Sequence, residues 1–218
     1  MHNQTLSLIK KYFPLALFIF TSIILVVVYG ELAEDIRQGE SFSWDVPLML
    51  YVNQFRNPWL NSIMLFITQT GGGWSGLIFI LFLSWLEVNK KRKTSITAAA
   101  SYLGAISING LLKLIYRRPR PSVIPPLATV NTFSFPSGHT ITAVALYGFA
   151  AFILWRKSHR ILAIFVLFWA CLIAFSRIYL GVHYPSDVLG AITVGSLWIQ
   201  IVIITMKAFR SQNSRKSI

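Results

Sequence analysis

Arginine, histidine and aspartate side chains stand together in residues 176–187, where one long apolar segment ends and the next begins. An ionised side chain costs roughly 2.5–3.5 kcal/mol at the centre of a membrane-spanning helix, so such a group calls for a functional reason. Two further polar stretches, residues 113–121 and 136–139, also adjoin apolar segments. We expect the three stretches to meet in one anion-binding catalytic site.

Three fixed cations, Lys113, Arg120 and Arg177, are spread over these stretches. A guanidinium group presents its N–H donors as a planar fork that matches phosphate oxygens. Each arginine taken alone is more simply explained by a side chain that reaches toward the membrane surface. The convergence of all three cations predicts an anionic ligand, for which phosphate is the best match.

Pro136, Ser137, Gly138 and His139 precede a long apolar run and are typical of a helix start. Ser137 is expected to cap the helix. Gly138 would let a ligand approach the backbone amides at the positive end of the helix dipole, a position that favours phosphate. An ordinary helix cap is the alternative interpretation.

His183 and Asp187 lie four residues apart, where the last apolar segment begins. An aspartate at this distance can hold one ring nitrogen in its protonated form and leave the other free as a nucleophile. His139 is then the candidate acid that protonates the departing alkoxide. The alternative is a structural ion pair between Asp187 and Arg177.

Composition indicates a membrane protein, because 55% of the 218 residues are hydrophobic, only 12% are charged and the mean hydropathy is +0.60. The single cysteine, Cys171, excludes an internal disulfide and a cysteine metal site. The net charge of +13 comes from short basic clusters between apolar runs. We therefore predict no nucleic-acid partner, since no basic face or aromatic platform accompanies the charges.

The apolar runs predict an all-α polytopic protein, a single six-helix bundle over residues 1–218. The spans are expected at residues 13–30, 59–86, 96–116, 138–155, 161–178 and 186–206. A signal peptide is the alternative for the first run, but its length and poor cleavage site favour a retained span. Three glycines at 71–73 predict a break or bend, so residues 59–70 either lie at the interface or belong to one kinked span.

Residues 31–58 hold five of the seven acidic residues and are predicted to be an amphipathic segment at the extracytoplasmic surface. Thirteen of the twenty lysines and arginines fall on the side that would carry both termini. By the positive-inside rule, both termini are then cytoplasmic and the polar stretches lie at the outer face.

The sequence resembles the type 2 phosphatidic acid phosphatases. Three ordered motifs within residues 113–187 carry the resemblance. The first is a lysine, six residues, an arginine and a proline, and the second is Pro-Ser-Gly-His. The third is Ser-Arg, five residues, a histidine, three residues and an aspartate. The first motif alone would be weak, but the ordered set is highly specific.

The resemblance implies a role for every matching residue. Phosphate would be bound by Lys113, Arg120, Ser137, Gly138 and Arg177. His183 would form a phosphohistidine, Asp187 would orient it and His139 would protonate the leaving group. The family needs no metal or other cofactor. Two arginines at positions that the motif leaves free, Arg117 and Arg118, would widen the cationic mouth toward a diphosphate.

The predicted function is thus a metal-independent phosphatase of a bacterial cytoplasmic membrane that acts on lipid phosphates of the bilayer. Undecaprenyl pyrophosphate, phosphatidylglycerol phosphate and phosphatidic acid are the substrates that the resemblance suggests. A phosphotransferase of the same family remains an alternative. A non-enzymatic lipid transporter would leave His183 and Asp187 without a role, and the related vanadate-dependent peroxidases are soluble.

Overall fold

A computed structural model describes the backbone of residues 2–215 and the side chains of residues 12, 13 and 15–206. Within that range all regular structure is helical. The helices are α1 His2–Arg37, α2 Asp45–Asn53, α3 Pro58–Gly71, α4 Ser75–Val88, α5 Arg92–Tyr116, α6 Gly138–Ala143, α7 Phe149–Arg156, α8 Arg160–Tyr179 and α9 Pro185–Arg215. A π-helical turn, Val144–Gly148, joins α6 and α7 into one continuous rod.

In the described part of the chain, five helical segments are long and apolar enough to cross a membrane: Leu15–Arg37, Arg92–Tyr116, Gly138–Arg156, Arg160–Tyr179 and Pro185–Met206. Helices α3 and α4 pass the same test together but are bent by 50° at their junction. The predicted all-α, multi-span architecture is confirmed. The predicted break at the three glycines is also found, since α3 ends at Gly71 and α4 begins at Ser75.

The rod that begins with α6 lies at the centre of the bundle. Helix α6 packs against α3, α5, α8 and α9. One core cluster joins Ile67 of α3 to Ile173 of α8, and a second joins Ala105 of α5 to Ile141 of α6. The outer surface stays apolar, with Ile161 87% and Ile115 67% exposed. Apolar side chains inside and outside are what a bilayer-embedded bundle requires.

Residues 31–37 do not belong to an interfacial segment as predicted. Helix α1 continues to Arg37, so the acids at 31, 34 and 35 extend the first helix instead of starting an interfacial segment. Helix α2 follows, with Asp45, Met49 and Val52 buried on one face. Asn57 then caps α3 by accepting from the N–H of Leu60 at 2.9 Å, with Pro58 in the first helical position.

Candidate active site

His183 and Asp187 form a buried pair at the start of α9. His183 lies in the turn after α8 and is 1% exposed, while Asp187 lies in the first turn of α9 and is fully buried. His183 Nδ1 is 3.4 Å from Asp187 Oδ2. The same oxygen accepts hydrogen bonds from Ser134 Oγ at 2.5 Å and from the Tyr184 N–H at 2.9 Å. The carboxylate is therefore fixed from several directions.

The second ring nitrogen of His183 is held as an acceptor. Arg120 Nη1 lies 3.2 Å from His183 Nε2. Because a guanidinium only donates, Nε2 must carry the lone pair and Nδ1 the proton that points to Asp187. Burial lowers the pKa of His183 to about 3, with Arg177 and Arg120 acting in the same direction and Asp187 opposing them. His183 is thus neutral near pH 7, with Nε2 unprotonated.

The loop between α5 and α6 contacts two of the predicted phosphate ligands, Arg120 within the loop and Lys113 in the last turn of α5. Arg120 donates to the carbonyls of Val182 at 2.6 Å and Thr132 at 2.7 Å. Lys113 Nζ donates to the Phe133 carbonyl, which also accepts from Arg120 Nη2 at 3.2 Å. Burial lowers the pKa of Arg120, yet arginine stays protonated at any physiological pH. Both cations therefore face the same strip of loop.

Arg177 is the third cation and the most deeply buried, with 1% of its surface exposed. Its Nη1 donates to Thr68 Oγ1 on α3 at 2.6 Å. Its Nε is buried and has no hydrogen-bond partner within the described residues. A buried donor without an acceptor is costly, roughly 1–3 kcal/mol. Its free Nε–H suits an anion that adds an acceptor here.

Within the part of the chain that the structure describes, these three cations also lack carboxylate partners. Among the described residues, no Asp or Glu oxygen lies within salt-bridge distance of Lys113, Arg120 or Arg177. His139 lies within electrostatic range of all three and of His183. The structure thus brings predicted residues from α5, α6, α8 and the two neighbouring loops together around three cations that form no salt bridge with a described carboxylate.

His139 is accommodated by the break between α3 and α4. A Cβ atom placed on Gly72 would overlap the His139 ring around Nε2. The backbone of Gly72 is non-helical, with φ −115° and ψ −113°, and Thr142 Oγ1 ties α6 to this break by donating to the Gly71 carbonyl at 2.8 Å. The glycine run therefore opens the space that the candidate acid occupies.

We expect Gly72→Ala to lower kcat by about tenfold or more, because a misplaced acid loses the rate gain of general acid catalysis. Gly76→Ala is the matched control, since a Cβ there meets nothing within 4 Å. Phosphate release and the thermal unfolding midpoint should be measured for both. Equal, wild-type kcat in the two variants would contradict the placement of His139.

Ser137 and Gly138 lie where predicted, but Ser137 does not cap. It occupies the N-cap position, yet its side chain accepts no backbone N–H. Ser137 Oγ accepts instead from Thr140 Oγ1 at 3.0 Å, and the Ser137 N–H donates to the Asp187 carbonyl at 3.2 Å. The first N–H groups of a helix have no intrahelical acceptor, so this uncapped start keeps donors available for an anion.

Known proteins resemble this chain in sequence and in structure. A sequence model of the PAP2 superfamily matches residues 94–211. Phosphatidylglycerophosphatase B of Bacillus subtilis is 30% identical over 199 residues, which is 88% of this chain and 93% of that protein. The chain belongs to the PAP2 superfamily.

One further relative and one solved structure also match this chain. Undecaprenyl-diphosphatase BcrC of Bacillus subtilis is 38% identical over 143 residues, 63% of this chain and 70% of that protein. The crystal structure of a transmembrane PAP2-type phosphatidylglycerolphosphate phosphatase from Bacillus subtilis superposes with a TM-score of 0.77 at 27% identity. That match covers 88% of this chain and 97% of the other.

Arg118, one of the two arginines that the PAP2 motif leaves free, requires a correction. It is 9% exposed and forms ion pairs with Asp187 Oδ1 at 2.6 Å and Asp45 Oδ2 at 3.0 Å. Its charge is thus compensated by two carboxylates, so Arg118 is not the free cation that we predicted would widen the cationic mouth. Arg117 is exposed at the end of α5 and donates through Nε to the Leu114 carbonyl at 3.1 Å. The alternative pair of Asp187 with Arg177 does not form.

Several residues of the site were not predicted from the sequence. Asp45, Ser134 and Thr68 contact Arg118, Asp187 and Arg177 respectively, but lie outside the PAP2 motifs. Their contacts join positions far apart in the chain, and no local spacing reveals them. Gly72 belongs to the three-glycine run that predicted a bend. That run did not predict that the His139 ring would lie beside Gly72.

Proposed function

We propose that the chain is an integral membrane lipid phosphatase, a single domain over residues 1–218, that works through a phosphohistidine at His183. The observation that carries the proposal is the neutral Nε2 of His183 beside cations with no carboxylate partner among the described residues. The names of the relatives point to phosphatidylglycerophosphate and undecaprenyl diphosphate as substrates. Phosphatidic acid is a third candidate of the same chemistry.

An apolar groove beside Lys113 supports a lipid substrate. The groove has a volume of about 870 Å³. It is lined by α5 and by the loop before α6, through Ser107, Gly110, Leu111, Lys113, Leu114, Asn131, Thr132 and Phe133. Leu111 and Leu114 are exposed on the face of α5 that a bilayer would cover. A phosphate held at Lys113 would thus have its hydrocarbon chain against apolar side chains.

In the first step, the lone pair on His183 Nε2 attacks phosphorus and the bond from phosphorus to the lipid oxygen breaks. Arg120 Nη1 donates a hydrogen bond to that same Nε2. When the substrate binds, this N–H must donate to a phosphate oxygen instead, which frees the lone pair of Nε2. Lys113 and Arg177 neutralise the charge that develops on the other phosphate oxygens. His139, held as an imidazolium while the anionic phosphate is bound, gives its proton to the departing oxygen and becomes neutral. Asp187 stabilises the positive charge on the phosphorylated imidazole by accepting from Nδ1–H.

In the second step, water attacks the phosphohistidine and transfers a proton to His139. The phosphorus–nitrogen bond breaks, inorganic phosphate leaves, and both histidines regain their starting protonation. Every proton in this cycle moves through His139 or water. We propose that no metal takes part.

The site is proposed to open at the outer face of a bacterial cytoplasmic membrane, with both termini in the cytoplasm. The distribution of lysine and arginine supports this orientation, because thirteen of the twenty fall on the side of the termini. The three arginines at 117, 118 and 120 break the bias locally. Arg118 and Arg120 are accounted for by the site, where they contact Asp187 and His183.

Phosphate release from purified protein in detergent tests the proposed function. Phosphatidylglycerophosphate and undecaprenyl diphosphate should each be tried with a chelator present, and we expect release of inorganic phosphate from at least one. The same assay tests the orientation when right-side-out vesicles are given a phosphate ester that cannot cross the membrane. Only a site on the outer face can hydrolyse that ester. No release from any lipid phosphate by folded protein would refute the phosphatase, whereas release only from inverted vesicles would refute the orientation.

A further inference from the structure

A buried charge network contacts Asp187 through Oδ1, the carboxylate oxygen that does not face His183. Arg118 stands at its centre, 2.6 Å from Asp187 Oδ1 and 3.0 Å from Asp45 Oδ2. Asp45 lies on α2, 142 positions before Asp187 in the chain, and is 2% exposed. The guanidinium packs over the rings of Tyr184 at 4.3 Å and Phe42 at 5.6 Å.

Asp45 also holds the start of α9. Its Oδ1 accepts from the Ser186 N–H at 2.8 Å, and its Oδ2 accepts from Ser186 Oγ at 2.5 Å. Ser186 is fully buried and directly precedes Asp187. Asp45 therefore reaches the candidate orienting carboxylate twice, once through Arg118 and once through the backbone of the neighbouring residue.

The net charge of this network gives Asp45 an electrostatic role. Arg118 with Asp187 alone would be neutral, whereas Asp45 brings the buried network to one negative charge. The charged and titratable groups that face His183 are Asp187 on α9, Arg177 on α8, Arg120 in the loop and His139 on α6. Two of these are permanent cations, so a positively charged imidazole needs a net negative charge on its other side.

We propose that Asp45, acting through Arg118, is a positioning residue that keeps Asp187 effective as the counter-charge of a phosphorylated His183. The proposal rests on the proposed function. Arg118 fixes the direction of the Asp187 carboxylate. Asp45 neutralises the charge of Arg118, so that Arg118 does not cancel the negative charge of Asp187. Helix α2 thereby becomes part of the catalytic apparatus, although it lies outside the three motifs.

The test compares Asp45→Asn, Arg118→Met and the double variant, all in detergent with one lipid phosphate. Asp45→Asn should lower kcat about tenfold to a hundredfold, as when hydrogen-bonded partners behind a reactive group are removed, with little change in KM. Arg118→Met leaves two buried carboxylates without their cation and should be impaired at least as much. The double variant restores one net negative charge and should exceed both single variants in kcat.

A purely structural role would make the double variant as poor as the worse single variant. Thermal unfolding should be recorded for all, because the double variant should also recover folding that Arg118→Met loses. A double variant that is unfolded, or no more active than the better single variant, would overturn the proposal. Glu40→Gln removes the same charge from an exposed position before α2 and should leave kcat unchanged. Wild-type phosphate release reports on the proposed function separately.

Discussion

Replacing His183 with glutamine is expected to lower kcat by about a thousandfold or more, as losses of a covalent nucleophile do. Glutamine retains polar atoms near Arg120 and Asp187, but its amide nitrogen has no lone pair suited to attack phosphorus. Binding of the lipid phosphate should persist, because Lys113, Arg120 and Arg177 remain. The loss should therefore appear in kcat far more than in KM, in an assay of phosphate release.

His159→Gln is the matched control for this variant. His159 is exposed and precedes α8, at the end opposite Arg177. It makes no contribution to the proposed chemistry, so its kcat should equal that of the wild type. If His183→Gln folds normally and keeps kcat within tenfold of the wild type, His183 is not the nucleophile.

Arg177→Lys should lower kcat/KM by roughly a hundredfold, although it preserves the positive charge. The guanidinium donates through Nη1 to Thr68 Oγ1 at 2.6 Å while Nε remains free for phosphate. A lysine ammonium is a point charge and cannot reproduce this planar arrangement. The thermal unfolding midpoint must be measured as well, because Arg177 is almost completely buried.

Arg160→Lys makes the same substitution at the exposed first residue of α8 and serves as the control. We expect its kcat/KM to be unchanged. A loss of less than fivefold for folded Arg177→Lys would show that the fork geometry at this position is not needed for phosphate binding.

Local patterns in the sequence predicted the membrane helices and the pairing of His183 with Asp187. Long apolar runs foretold the membrane helices, because crossing a bilayer demands about twenty apolar residues whatever the tertiary contacts. The four-residue interval from His183 to Asp187 foretold their pairing, since the histidine precedes a helix whose first turn carries the aspartate. Both inferences use only neighbouring residues.

Contacts between distant helices could not be foreseen in this way. The pairing of Asp45 with Arg118 depends on how α2 packs over the turn before α9, which no local spacing encodes. Asp45 therefore looked like one acid among five in a surface segment. Arg118 looked like surplus positive charge, because its two carboxylate partners lie 73 residues before it and 69 residues after it.

The position of His139 shows the same limit. The three glycines at 71–73 predicted that a helix would break, because glycine weakens a helix interior. Nothing in that run indicated that a ring from another helix would fill the gap. The Ser137 cap was wrong for a related reason: its oxygen bonds to Thr140 Oγ1 one turn further on, and its N–H goes to the Asp187 carbonyl.

Isolation of a phosphoenzyme tests the proposed mechanism most directly. A lipid phosphate labelled at phosphorus should be mixed with purified protein and quenched in alkali within one turnover, because phosphohistidine survives base and not acid. Mass spectrometry then locates the modified residue. We predict acid-labile phosphate on Nε2 of His183 and none in His183→Gln. Phosphate on another residue, or release of inorganic phosphate without any protein-bound label, would contradict nucleophilic catalysis by His183.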